Sequence, residues 1–143
     1  MARKVEKPFE IIDHTADIGI VAYGADTKQV FVNAAIGLFS LIADLDEVNE
    51  DIQHDLELSA EDEEFLLVEW LNELIYTFDV EHIIFKRFEI DELAGNRIKV
   101  RCFGEKFKPK KHTLKREIKA ATYHMLRLTK SDTGYQVQVI FDI

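Results

Sequence analysis

Apolar side chains recur along this chain with two different periods. Over residues 27–43, Val30, Phe31, Ala34, Ala35, Leu38, Leu41 and Ile42 fall three or four apart. That spacing keeps one stripe of a helix turned toward a core. Asp26 and Thr27 stand before it as N-cap residues, so a first helix is predicted from about 27 to 43. A second is predicted over roughly 61–79, where Leu67, Trp70, Leu71, Leu74, Ile75 and Phe78 repeat the pattern. Ser59 offers its cap, and Glu61 to Glu64 place negative charge at the positive end of the helix dipole.

Elsewhere the period is two. Ile98, Val100 and Cys102 alternate with Lys99 and Arg101, and Tyr135, Val137, Val139 and Phe141 alternate with Gln136 and Gln138. Ile18, Ile20 and Ala22 begin a similar alternation. These are strands with one buried face. Turn residues at Ala94-Gly95-Asn96 and Ser131-Asp132-Thr133-Gly134 join such runs into antiparallel hairpins. The pattern predicts an α+β fold, a sandwich of a mostly antiparallel sheet with two helices packed on one side. No Ser/Gly linker, repeat or low-complexity tract interrupts it, so residues 1–143 are expected to form one domain.

Composition narrows the chemistry. A hydrophobic fraction of 47% in 143 residues suffices for one core. A net charge of −9 argues against nonspecific binding of phosphate backbones as the main activity. Cys102 is the single cysteine, which leaves no intrachain disulfide and no multi-cysteine metal site. The opening MARKVEKPFE is charged, and no run approaches the roughly 18 apolar residues of a membrane span. The expectation is a soluble cytoplasmic protein without a membrane or disulfide-linked partner. Glycine-rich phosphate loops, His-Glu-x-x-His, cysteine pairs and Gly-x-Ser-x-Gly elbows are all absent.

Three features remain. In the closing QVQVIFDI, inward Val137, Val139 and Phe141 leave Asp142 on the opposite face, one residue before the carboxylate of Ile143. In DHTADIGI, His14, Thr15 and Asp17 cluster at the mouth of a strand. They suit either a turn capped by local hydrogen bonds or a hard-cation ligand, Asp17, with His14 behind it. Finally, residues 44–64 hold eleven acids and no Lys or Arg, whereas KFKPKKHTLKREIK, residues 106–119, holds seven basic residues and one acid. Opposite faces of the domain are expected to differ in sign, and the basic run is either a solvated face or a contact for an acidic partner, RNA or nucleotide.

DHTADIGI near the start, GEKFKPKKH and EIKAATYH in the second half, and the closing FDI together resemble the archease family, over essentially the whole chain and in the same order. The resemblance implies an accessory protein of RtcB-type RNA ligases. Such a protein would promote the GTP-dependent guanylylation and multiple turnover of its partner in tRNA splicing, meeting GTP and tRNA only through the ligase. It also implies a divalent cation held by Asp17, Asp142 and Ile143, with no catalytic residue of the protein's own. Asp13 stands where many relatives have Glu, at a position outside the implied ligand set.

If these three carboxylates converge within about 5 Å, each pair repels by roughly 3 kcal/mol at an effective dielectric near 20, and a cation relieves that repulsion. Oxygen-only ligation favours calcium, with magnesium and manganese as alternatives. His14, Lys119, His124 and the Lys106–His112 segment are the candidates for supporting the ligands or contacting partner and nucleotide. Two rival readings are a chaperone-like binding module and a metal-dependent hydrolase with His14 or His124 as base.

Overall fold

The computed structural model describes residues 7–13 and 17–143, and its elements follow the two periods of the sequence. In chain order they are β1 (Phe9–Asp13), β2 (Asp17–Gly24), α1 (Thr27–Ile42), a 3-10 turn (Leu45–Glu47), β3 (Ile52–Ser59), α2 (Glu63–Glu81), β4 (Ile83–Ala94), β5 (Arg97–Lys106), β6 (Ala120–Ala121), β7 (Arg127–Ser131) and β8 (Gly134–Asp142). The strands form two sheets, and every pairing is antiparallel. In the first, β2 lies between β1 and β8, while β7 and β6 share the far side of β8. The second runs β3-β5-β4. The fold is α+β, with its strands divided between two sheets.

Helix α1 packs on β2 of the first sheet and on β4 of the second, so its apolar stripe joins the two. Helix α2 lies beside α1 and over β6. The Trp70 indole N–H donates to the Phe31 carbonyl at 3.0 Å, tying the helices together, and its ring meets Phe88 of β4 edge-on. Phe39 of α1 packs against Phe85 and Phe88. These side chains belong to one hydrophobic core, each contributing about 1.5–3 kcal/mol by burial. Cys102 sits in that core, where burial pushes its thiol well above the ordinary range; it is a packing residue. Among the described residues no helix is long and apolar enough to cross a membrane.

The helix boundaries show local chemistry at work. Asp26 caps α1 by accepting from Gln29 N, as its sequence position indicates. For α2 the cap is Asp62, accepting from Phe65 N at 2.9 Å, and not Ser59, which ends β3. The amide of Ala60 donates to Asn96 O and holds the chain extended past Ser59, so the helix starts two residues later than predicted and reaches Glu81.

The expected separation of charge onto opposite faces does not extend to the start of the acidic run. After α1 the acidic run turns back against residues 113–115. Ala43 bridges Leu114, Lys115 N donates to Ile42 O at 2.7 Å, and Thr113 N donates to Glu47 Oε1 at 2.8 Å. The beginning of the acidic run and the middle of the basic run are neighbours, an arrangement opposite charges favour.

Packing between β5 and β4 leaves no room for a side chain at Gly104. A Cβ there would lie 2.0 Å from Ile84 O and 2.7 Å from Phe85 Cα, beside the register shift between Phe85 and Arg87. Gly104→Ala is therefore expected to destabilise the protein by about 3 kcal/mol or more. Urea unfolding of the two proteins measures it, and equal midpoints would refute this reading of the β4–β5 contact.

Candidate metal centre

Asp17 and Asp142 are the last rung of the β2–β8 ladder and stand directly opposite each other. Their placement follows from the apolar pattern. Ile18, Ile20 and Ala22 pair with Phe141, Val139 and Val137, all buried, and a slip by one residue would turn every one of them outward. With that register fixed, both aspartates project to the other face. Residues so opposed carry Cβ atoms about 4.5–5.5 Å apart, and like charges there are unfavourable. Asp17 is half-buried with Oδ1 shut from solvent, whereas Asp142 is exposed.

Strand β6 closes the other side of Asp142. Ala120 is its partner in the ladder, and Lys119 N donates to Asp142 O at 2.8 Å, with the Lys119 side chain exposed. Ile143 continues directly from Asp142 and is half exposed. The sheet thus gathers Asp17, Asp142, Ile143 and Lys119. His14 lies outside the described residues. His124 is carried away from the sheet: Thr122 bonds Ile140 O through both its amide (2.9 Å) and its hydroxyl (2.8 Å), and His124 follows in an exposed loop.

The donors fit a hard cation. Asp17 and Asp142 offer only oxygen, in a pairing that positive charge relieves. Among the described residues no group of three or more His, Cys, Asp or Glu side chains is placed to hold a metal. Asp17 and Asp142 are a pair rather than such a group.

Two residues that the sequence reading passed over tie down the segments that follow β5. Asn72 of α2 treats β6 as a neighbouring strand would: its Oδ1 accepts from Ala121 N at 2.8 Å and its Nδ2 donates to Ala121 O at 3.1 Å. The second is Glu105, at the end of β5 with its side chain 3% exposed. It accepts from Asn49 N (2.9 Å) and Lys111 Nζ (2.9 Å), pairs with Lys108 Nζ (3.1 Å), and receives His112 Nε2 (3.0 Å). His112 Nδ1 accepts from Lys108 N, which assigns the ring proton to Nε2. The Asn49 amide foremost, then Lys111, Lys108 and His112, hold the Glu105 carboxyl well below the usual carboxylate range despite its burial. Three of the groups expected to meet a partner or nucleotide, Lys108, Lys111 and His112, are thus turned onto an internal carboxylate.

A profile described as the Archease protein family matches residues 9–143. The protein archease of Methanosarcina mazei is 40% identical over 141 residues, covering 96% of this chain and 97% of the relative. The solution structure of Methanobacterium thermoautotrophicum protein 1598 superposes with a TM-score of 0.82 at 36% identity, covering 95% of this chain and 99% of that one. A Thermotoga maritima crystal structure, described as an archease and possible chaperone, shares the fold with a TM-score of 0.62 at 23% identity, covering 99% of this chain and 100% of the other.

Both positioning residues can be tested. Asn72→Ala strands the amide and carbonyl of Ala121 and should cost about 1–3 kcal/mol in chemical unfolding; an unchanged midpoint would show that β6 does not depend on it. Because the carboxyl of Glu105 is depressed in the folded state, its stabilisation is full above the ordinary carboxylate range and fades as pH falls toward the folded value. Glu105→Gln should therefore lose about 2 kcal/mol at pH 7, with the deficit shrinking from about pH 5 downward. Parallel stability–pH curves for the two proteins would contradict that assignment.

Proposed function

The chain belongs to the archease family, and from that membership we propose that it is a metal-binding accessory protein that activates an RtcB-type RNA ligase. The register that sets Asp17 against Asp142 is the observation that carries this reading. Asp17, Asp142 and the carboxylate at Ile143 would hold the cation, and all-oxygen ligation that includes a chain end suits the looser geometry of calcium better than that of magnesium or manganese. Bound there, the cation supplies positive charge for positioning phosphate groups.

The chain's own residues set the frame for this role. Asn72 anchors β6, and Lys119, the residue before β6, fixes the Asp142 carbonyl through its backbone N–H while its side chain stays exposed. Asp17 and Asp142 orient the ion rather than attack a substrate. The protein in this reading brings the partner's GTP into a reactive arrangement, and the guanylyl group is transferred within the ligase during tRNA splicing. GTP and tRNA are met through that complex, in the cytoplasm.

The test is guanylylation of a purified cognate ligase by labelled GTP, with and without this protein. The native chain should stimulate labelling. Asp17→Asn, which keeps the shape of the side chain and removes its charge, should lose at least about tenfold of the stimulation while its unfolding midpoint stays within a few degrees. Full stimulation by the variant would remove the carboxylate pair from the mechanism and favour a chaperone-like binding module.

A further inference from the structure

Around Asn72, helix α2 has an outer face whose other side chains the proposed metal centre does not use. Its inner face buries Leu66, Leu67, Trp70, Leu71, Leu74 and Ile75. Phe65, Glu69, Tyr76 and Val80 recur on the other side at helical spacing, with Phe65 39%, Tyr76 61% and Val80 55% exposed. The helix also carries six carboxylates, Glu63, Glu64, Glu69, Glu73, Asp79 and Glu81, and no Lys or Arg. Among the described residues none of the six is in an ion pair.

The stripe continues off the helix. The Phe65 ring meets Tyr123 edge-on with centroids 5.1 Å apart, and the Tyr123 hydroxyl donates to Glu69 Oε2 at 3.3 Å. Two residues later Met125 is 56% exposed in a left-handed conformation, φ 55°, which a methionine adopts only when its surroundings impose it. They do so here: Thr122 is bonded to β8, and Leu126 N donates to Tyr123 O at 3.2 Å. Tyr123 and Met125 are thus displayed by a braced loop. Three residues before Tyr123, Ala120 is the ladder partner of Asp142.

We infer that this acidic, aromatic face of α2 and the 122–126 loop is a docking surface for a protein whose own surface is basic and offers apolar pockets. Under the function proposed above, on which this inference rests, that protein is the ligase. Exposed aromatics and methionine are the side chains that anchor protein interfaces. Unpaired carboxylates around them attract a basic protein and repel the phosphates of RNA. The tilt of charge is local, since the acids on the outer face of the second sheet are largely matched by arginines, as in the Arg87–Glu50 and Arg101–Asp91 pairs.

Titration of the purified ligase with the native chain and with two double variants, at low and high salt, tests the inference. Tyr76→Ser with Val80→Ser should weaken binding at least tenfold without moving the unfolding midpoint, because both side chains project into solvent. Glu69→Lys with Glu73→Lys should slow association and abolish its acceleration at low salt. If the native chain binds and both variants bind equally well, the surface is wrong and the function stands. If the native chain does not bind the ligase at either salt, the proposed function fails and this inference falls with it. Binding of tRNA alone that is lost in the Tyr76/Val80 variant would place RNA on the face and overturn the protein assignment.

Discussion

The pairing of β2 with β8 is the constraint on which the molecule depends. Apolar side chains on one face of each strand, Ile18, Ile20 and Ala22 against Phe141, Val139 and Val137, exclude a slip by one residue. That register gives α1 its floor, offers β8 a free side for β6 and β7, and brings two carboxylates from distant parts of the chain to one edge. The hydrophobic face thus decides where the charged groups meet.

Charge is handled in three ways. On the outer face of the second sheet acids and arginines alternate in pairs, and the surface there is internally balanced. Around Glu105 a buried carboxylate gathers two lysines and a histidine inward, so a segment that is strongly basic in sequence presents less positive charge than its composition suggests. Along α2 the carboxylates have no such partners. Net charge per segment therefore poorly indicates which surface is available to another molecule; the distribution of partners indicates it better.

Much of the fold was legible because strong periods coincided with strong punctuation. Helix α1 is observed within one residue of its expected limits, its stripe and its Asp26 cap agreeing. The start of α2 was misread because Ser59 and Asp62 are both capping residues, and the choice lay with a hydrogen bond between Ala60 and the distant Asn96. Strand β3 does alternate, Ile52, Leu56 and Leu58 against Gln53, Asp55 and Glu57, but His54 takes one inward position and interrupts the apolar period. In β4 two register shifts break the period of two, and β6 is too short to show one. At the candidate site Asp17 and Asp142 were visible as acids ending strands. Asn72 was not, because its meaning lies in a partner 49 residues away.

Strand β8 is the last element in chain order and also the one that β2, β6 and β7 all require. Until residues 134–142 arrive, β2 has one unpaired edge and its apolar face is incompletely covered. Pairing of β2 with β8 is therefore a long-range event, slow to nucleate and exposed to misassociation in the interval. A lesion in the final strand would act on the whole population of nascent chains, lowering the yield of native protein as well as altering its working edge.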